Sequence, residues 1–262
     1  NQKSLKITKK IFKDIFNLEP KKIIEFNTPS ESETCKIIEN SYRAVNIAFI
    51  EEWRKFCSKN NLDLEKILGS IRHRKTHNNI MRSGIGVGGY CLTKDPLFAI
   101  ASSKQVLKEK FDFPISSKAV EVNQKMTFDV MSEIRNKFNK KIFGKKVVLI
   151  GVSYREDTND TRYSPAEGVF NFFKNMNCKT SFYDPIVNYW DFINSYSIKK
   201  KDLKNFDVYI YLIKHQSFKK LNIRYKKKSL ILDLNHVLER NKRLRISKSK
   251  NYKSYFIGSK QL

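Results

Sequence analysis

Lys145-Lys146-Val147-Val148-Leu149-Ile150-Gly151-Val152 decides the fold class of this chain. A short apolar run between the turn Phe143-Gly144 and a glycine reads as a buried strand. Ser164-Pro165 then opens a helix to about Met176, with Pro165 where a missing N–H costs nothing. Thr180–Pro185 is a strand ending in a turn, and Phe206–Ile213 and Leu230–Leu234 are two more. Strands alternating with helices mark an α/β fold, a parallel sheet with helices on both faces. Ligands on such sheets bind beyond the carboxyl ends of strands. Those ends carry Tyr154-Arg155, Asp184-Pro185, Lys214-His215 and Asn235-His236. The unit holds no G-x-G-x-x-G. Its first connection, Gly151 to Arg162, is long and carries two arginines, suited to gripping an anion but not to the tight dinucleotide turn.

The chain before this sheet is largely helical. Residues 7–18 form an amphipathic pattern through Ile7, Ile11, Ile15 and Phe16, and Lys21–Asn27 reads as a strand. Thr28-Pro29-Ser30 breaks the pattern, with Ser30 as the cap of the next helix. From Glu31 to Asn60, Ile37, Ala44, Val45, Ala48, Phe49 and Phe56 make a stripe that buries against other helices. Lys36 and Asn40 share one side of this helix and Arg43 lies one step further round; taken alone, such residues are a solvated face. Leu62–Ile71 is a shorter helix with Asn61 or Asp63 near its start, and Arg72–Lys75 is a basic turn. A helical run to about Lys110 and a helix over residues 118–139 complete this region; Val120, Val122, Met126, Val130, Ile134 and Phe138 are the apolar positions of the latter.

The 262 residues suffice for one large or two ordinary domains, and 40% hydrophobic content with 13% aromatics supports real cores despite a mean hydropathy of −0.54. No apolar run approaches a membrane span, and Asn1-Gln2-Lys3-Ser4 is no signal peptide. The chain begins without Met, as a processed chain or a fragment does. Its four cysteines, Cys35, Cys57, Cys91 and Cys178, are spaced for neither a zinc site nor a disulfide framework, which points to a reducing compartment. The net charge of +26 attracts anions. The lysines are spread along the chain without a nucleic-acid-binding signature, so no specific nucleic-acid partner is expected.

Gly84-Ile85-Gly86-Val87-Gly88-Gly89-Tyr90-Cys91-Leu92-Thr93-Lys94-Asp95-Pro96 carries the chemistry. Glycines let backbone lie close to a ligand or adopt positive φ. A cysteine at the edge of such a segment is reachable. If Leu92 starts a helical turn, Cys91 and Asp95 share a face, a nucleophile with a polar helper. A lone cysteine reads equally well as a small buried hydrophobe. Cys35, Cys57 and Cys178 read as packing.

Together these motifs make the chain resemble the UDP-glucose/GDP-mannose dehydrogenase family, the nucleotide-sugar dehydrogenases, over nearly its whole length. The resemblance rests on Glu33-Thr34-Cys35-Lys36 through Glu39-Asn40-Ser41-Tyr42-Arg43-Ala44-Val45-Asn46-Ile47-Ala48, on Gly86 through Asp95, and on Gly151 through Asp160-Thr161-Arg162-Tyr163-Ser164-Pro165. Tyr183-Asp184-Pro185 and Asp233-Leu234-Asn235 fall at comparable strand ends. The resemblance implies that residues 1–28 end an N-terminal NAD-binding domain whose fingerprint and main NAD site are absent from this chain. Residues 29–140 would be the helical central, dimerising domain, and 141–262 the nucleotide-sugar-binding α/β domain.

The activity so implied is NAD-dependent oxidation of the C6 hydroxymethyl of a nucleotide sugar, most simply a UDP-sugar, to the carboxylate. Cys91 would be the nucleophile, forming a thiohemiacetal and then a thioester. Lys36 and Asn40 would stabilise the oxyanion, and Asp95, with Lys36, would handle the hydrolytic water. Gly86, Val87, Gly88, Gly89 and Tyr90 would wrap the sugar and phosphate, with Arg43, Arg155 and Arg162 as further substrate contacts. Lys94 and Arg162 would be minor contacts to NAD. Arg155 stands where the family usually has lysine, and Glu51 where members often have asparagine. Arg74 or Lys75 matches a basic residue that reaches a partner's active site. His77 and His215 receive no catalytic task, being readable as surface or polar-network residues. A cytoplasmic homodimer feeding acidic sugars to surface polysaccharides would follow, inactive as this fragment alone; no metal is implied. The alternative is a nucleotide-sugar-binding module without catalysis.

Overall fold

The computed structural model describes residues 2–17, 23–105, 108 and 111–260. They fall into two compact units, 1–39 and 40–262.

In the first unit, helix α1 (Gln2–Phe16) buries none of its residues, and Ile7, Ile11, Phe12, Ile15 and Phe16 are exposed. Lys9 pairs with Glu25. Residues 23–26 form no strand, contrary to the sequence expectation for Lys21–Asn27; residues 21–22 lie outside the described residues. No described strand pairs with this segment, and a strand exists only by sharing its backbone groups. Helix α2 (Pro29–Lys59) is capped by Thr28 rather than Ser30. Thr28 Oγ1 accepts the Glu31 N–H at 3.2 Å, while Glu31 accepts from Thr28 N and Asn27 N at 3.0 and 2.7 Å. This reciprocal arrangement is a capping box, with Pro29 at the first helical position.

In the second unit, α2 buries Asn40, Ala44, Ile47, Ala48, Ile50, Glu51, Arg54 and Cys57, the spacing of one helical face. Arg54 is 2% exposed and bonded to both Glu51 and Glu133. Helix α3 (Leu64–Ile71) is capped by Asp63, which accepts the Lys66 N–H. The expected run to Lys110 is broken into α4 (Cys91–Lys94), a 3₁₀ turn Asp95–Leu97 and α5 (Phe98–Gln105). Pro96 interrupts the ladder; residues 106, 107, 109 and 110 lie outside the described ones. Helix α6 (Pro114–Ile142) is longer than expected at both ends.

Strands β1 (Lys146–Ile150) and β2 (Lys179–Tyr183), β5 (Val208–Tyr211), β6 (Leu230–Asp233) and β7 (Lys253–Phe256) form one all-parallel sheet in the order β2-β1-β5-β6-β7. Helix α7 (Pro165–Asn175) joins β1 to β2 and α8 (Arg240–Lys248) joins β6 to β7. The hairpin β3 (Tyr189–Trp190) and β4 (Ser195–Tyr196) lies between β2 and β5 in the chain. One face packs Val147, Leu149, Ile210 and Leu232 against Val130, Ile134 and Phe138 of α6 and Val169 and Phe173 of α7. The other packs Val148, Ile150, Tyr209 and Ile231 against Ile246 of α8 and loop residues such as Leu221 and Tyr225. The architecture is thus α/β, a helical region followed by a Rossmann-like parallel sheet. Its order switches direction between β1 and β5, where crevices at carboxyl ends form.

Candidate active site

The two strand-end aspartates are structural staples. Asp184 is fully buried and accepts from Val152 N, Ile186 N and Val187 N and from His215 Nε2 at 3.1 Å. Burial works to raise its pKa, but the His215 and backbone hydrogen bonds prevail and hold it below the usual carboxylate range. His215 Nδ1 accepts the Asp157 N–H at 3.0 Å, which leaves Nε2 as the protonated nitrogen facing Asp184. His215 is therefore a polar-network residue that ties the β1–α7 loop to β2. Asp233 accepts from Asn235 N, Val237 N and Leu238 N and is pushed upward by burial.

The glycine loop, entered at Ser83, lies across the carboxyl edge of this sheet. His236 Nε2 donates to Ser83 O at 2.9 Å. A Cβ on Gly84 would stand 2.5 Å from Asn235 Oδ1. Thr127 Oγ1 of α6 donates to Ile85 O at 2.7 Å, and Asn123 pairs with both backbone groups of Val87 at 2.9 Å. A Cβ on Gly88 would stand 2.0 Å from the Tyr163 carbonyl oxygen, and one on Gly89 2.8 Å from the Tyr154 ring. Close approach of backbone to the chain's own atoms already requires these glycines. The sheet's strand ends and α6 thus hold the segment from two sides and deliver it to Cys91.

Cys91 is exposed and opens α4. Asp95 closes that turn, its N–H bonded to Cys91 O, as the spacing of the two residues predicts. Asn40 Nδ2 donates to Asp95 Oδ2 at 2.9 Å, and Lys94 Nζ lies 3.1 Å from Asp95 Oδ1 while stacking 4.4 Å from the Phe98 ring centroid. Tyr90 meets the Tyr163 ring edge-on at 4.9 Å, and the Arg162 guanidinium lies 5.0 Å from the Tyr90 centroid. Arg162 is bonded side-on to Asp160, which raises its pKa, and its fixed positive charge, exposed over Tyr90, can meet an anion. The structure therefore brings Asn40, Cys91 and Asp95 together on one side and Tyr90 and Arg162 on the other. Arg155 and Arg43 are exposed; the Arg155 carbonyl accepts from Ser153 Oγ and Thr158 Oγ1. Lys36 belongs to the first unit, where it is exposed and pairs with Glu39 at 3.0 Å. Cys57 is buried and Cys178 half-buried, as packing residues are, but Cys35 is exposed, contrary to the packing expectation.

Sequence reasoning missed Asn123, Thr127 and Ser83. Each acts on backbone far away in the chain, for which a sequence offers no local pattern.

The β1–α7 connection does not fit a dinucleotide. Gly151 (φ 82°) turns where a Cβ would meet Ile213 at 2.9 Å, and Val152 N is taken by Asp184. The first turn of α7 is capped by Ser164 Oγ and lies under Gly88, whose Cβ would touch Pro165 at 3.0 Å. NAD finds no site at this turn.

Two family models match the chain: the UDP-glucose/GDP-mannose dehydrogenase family central domain over residues 30–125, and that family's UDP binding domain over residues 148–240. The UDP-N-acetyl-D-mannosamine dehydrogenase of Methanococcus vannielii is 31% identical over 249 residues, 92% of this chain and 55% of its own length. That of Methanococcus aeolicus is 28% identical, over 92% of this chain and 54% of its own length. The chain spans about half the length of the curated relatives it matches. Among solved structures, the NDP-N-acetyl-D-galactosaminuronic acid dehydrogenase from Methanosarcina mazei Go1 aligns with a TM-score of 0.73 at 22% identity, covering 89% of this chain and 52% of that one, a likeness of fold. The UDP-N-acetyl-mannosamine dehydrogenase of Staphylococcus aureus aligns with a TM-score of 0.66 at 25% identity, covering 90% and 52%.

Proposed function

The chain belongs to the UDP-glucose/GDP-mannose dehydrogenase family, and from that premise we propose that it serves the NAD-dependent oxidation of a nucleotide sugar, a UDP-sugar, at C6. The observation that carries the reading is the setting of Cys91. It is an exposed thiol at the end of a glycine loop, one turn from a carboxylate held by Asn40 and Lys94.

NAD⁺ would accept hydride at both oxidation steps. The residues of this chain do the rest. The Cys91 sulfur adds to the carbonyl carbon of the C6 aldehyde; a C–S bond forms and the oxygen takes a proton, giving a thiohemiacetal. After oxidation to the thioester, water attacks the carbonyl carbon, the C–S bond breaks, sulfur leaves as thiolate and the carboxylate is released. The second N–H of the Asn40 amide is a donor for the developing oxyanion, as is the Lys36 ammonium by its place four residues earlier in the family motif. Asp95 accepts the proton of the water. Arg162, oriented by Asp160 over Tyr90, receives the anionic part of the nucleotide, with Arg155, Arg43 and the backbone of Gly86 to Gly89 as further contacts. Lys94 and Arg162 are in addition minor contacts for NAD.

The division at 28/29 and 140/141 is part of this reading, supported by the bounds of the two family models. So is the assignment of residues 1–28 to an NAD-binding domain, which the uncovered apolar side of α1 favours. A homodimer is supported by an exposed aromatic row on α2. Phe49, Trp53 and Phe56 are 48%, 47% and 52% exposed, and Phe49 continues into a groove of about 380 Å³ lined by Val45, Ala48, Ile115 and Val122. Sedimentation of wild type against Trp53→Glu tests it: a monomer in the wild type rejects the dimer. Among the described residues no helix is long and apolar enough to cross a membrane; a cytoplasmic setting remains part of the proposal.

The test of the reaction needs no NAD. The C6 aldehydes of UDP-glucose and UDP-N-acetylmannosamine are offered to the chain, and the adduct is located by native mass spectrometry and peptide mapping. An adduct on Cys91 that Cys91→Ser abolishes is expected. Binding of the nucleotide sugar without any adduct favours the non-catalytic module.

A further inference from the structure

Asn123 is 9% exposed and projects from α6 onto the glycine loop. Its Oδ1 accepts the Val87 N–H and its Nδ2 donates to the Val87 carbonyl, both at 2.9 Å. A side-chain amide thus reads one residue's whole peptide polarity, as a neighbouring strand would. Thr127, one turn further along the same face, donates to Ile85 O at 2.7 Å. Between the two contacts Gly86 adopts φ 96°, and a Cβ there would stand 3.0 Å from the Asn123 carbonyl oxygen. The loop is pressed flat on α6 at that point.

From Val87 the path to the thiol is short and restrained. Gly88 abuts the Tyr163 carbonyl, and Thr93 Oγ1 donates back to Gly89 O at 2.8 Å, closing the loop onto α4. Little slack remains between the Asn123 contact and Cys91. The far end of α6 is held in the sheet core by Ile134, Phe138 and Ile142, each buried. The helix is a rigid arm running from the α/β core to the loop.

We propose that Asn123 is the positioning residue of the cysteine loop: its two hydrogen bonds to Val87, seconded by Thr127 on Ile85, set the trajectory on which Cys91 is presented. Asparagine is the residue that fits. Aspartate lacks the donor, leucine both groups, and glutamine reaches one methylene too far. The functional consequence rests on Cys91 being the nucleophile. The test uses neither nucleotide sugar nor NAD, so its failure is distinct from failure of the dehydrogenase reading.

Two quantities are measured on this chain and its variants at neutral pH. One is hydrogen exchange at the Val87 amide, with the β1 amides as the global reference. The other is the rate of iodoacetamide alkylation at Cys91 divided by that at Cys35, which is exposed and lies in the other unit. Asn123→Leu is expected to lower Val87 protection at least tenfold with β1 unchanged, and to move the Cys91:Cys35 ratio at least threefold. Thr127→Val, which keeps shape and loses the hydroxyl, moves the ratio in the same direction, and Thr127→Ser restores it. If Asn123→Leu does not fold, the Thr127 pair decides alone. A wild-type ratio in folded Asn123→Leu or in Thr127→Val overturns the proposal. So does a loss of protection shared equally by β1, which marks general loosening.

Discussion

Asn40 and Asp95 are joined by a 2.9 Å hydrogen bond between residues 55 positions apart, from α2 to the turn that Cys91 opens. The bond ties the helix to the cysteine turn and fixes which Asp95 oxygen faces Asn40. Asn40→Ala removes the amide proposed to meet the oxyanion and releases that oxygen. A hydrogen bond to a charged group is worth about 1.5–3 kcal/mol. Capture of the UDP-glucose C6 aldehyde by Cys91 should therefore weaken roughly ten- to hundredfold. Titration followed by native mass spectrometry reads it, and an unchanged affinity removes Asn40 from the site.

A second prediction concerns Arg54, which is buried between two carboxylates. Its Nε and Nη2 donate to Glu51 at 2.7 and 2.8 Å, and its Nη1 to Glu133 at 2.8 Å. Glu133 also accepts from Ser58 Oγ and from Tyr255 Oη of β7, so the cluster couples α2, α6 and the sheet edge. Arg54→Met leaves Glu51, which is 0% exposed, with the long Lys55 Nζ contact at 3.8 Å in place of its two direct hydrogen bonds to the guanidinium. The cost should be about 3–5 kcal/mol, read as a lowered urea midpoint. Glu51 is thus bound to packing where the resemblance had only marked a departure.

How much of this was legible follows from where each residue finds its partner. Strand β1 and the capped start of α7 announce themselves because their signals are local: an apolar run, and Ser164-Pro165 before a helical pattern. The cysteine loop stood out as a candidate site because the glycines and Cys91 are contiguous. Strand β7 was not, since Lys253-Ser254-Tyr255-Phe256 carries a charge and no long apolar run. Helix α8 was missed because Arg240–Lys248 buries only Ile246 and shows no stripe. The glycines themselves were read as room for a ligand. Much of that room is taken by Asn235, Tyr163 and Tyr154, whose approach depends on tertiary packing that no window of sequence contains.

A third prediction is a pH effect carried by His236. It is 5% exposed, with Nε2 on Ser83 and Nδ1 3.3 Å from Arg243 Nη1. Burial, with Arg243, Arg82 and Arg72 nearby, pushes its pKa down to about 3. The unfolded chain takes up a proton near pH 6.5 and the folded one only near 3. Stability from this residue is therefore complete above about pH 6.5 and is lost as pH falls toward 3, on the order of 5 kcal/mol in all. Glu65, 3.5 Å from His236 and raised by burial, contributes with the opposite sign, losing stability as pH rises through its own pKa. The difference between His236→Gln and wild type isolates the histidine. The variant should lose less thermal stability between pH 7 and pH 4.5, and equal losses in the two proteins would reject the assignment.

The last prediction separates glycines that hold the loop from one that does not. At Gly88 a Cβ would stand 2.0 Å from the Tyr163 carbonyl oxygen and 2.9 Å from its carbon, both backbone atoms that cannot swing aside. Tyr163 is itself in the left-handed region (φ 55°) and is followed by the Ser164 cap and Pro165, so the strain cannot pass along the chain cheaply. Gly88→Ala should cost about 1–3 kcal/mol, the price of overpacking, and should pull the loop off Tyr163. Gly69 is the contrast. It lies inside α3, with nothing within 4 Å of its Cβ position. Gly69→Ala removes backbone entropy from the unfolded chain and should stabilise by about 0.5–1 kcal/mol. Paired thermal melts decide the matter. Opposite signs at the two positions place the demand at Gly88 in tertiary contact, whereas a Gly88→Ala melt at the wild-type temperature would mean that the loop does not lie against Tyr163 in solution.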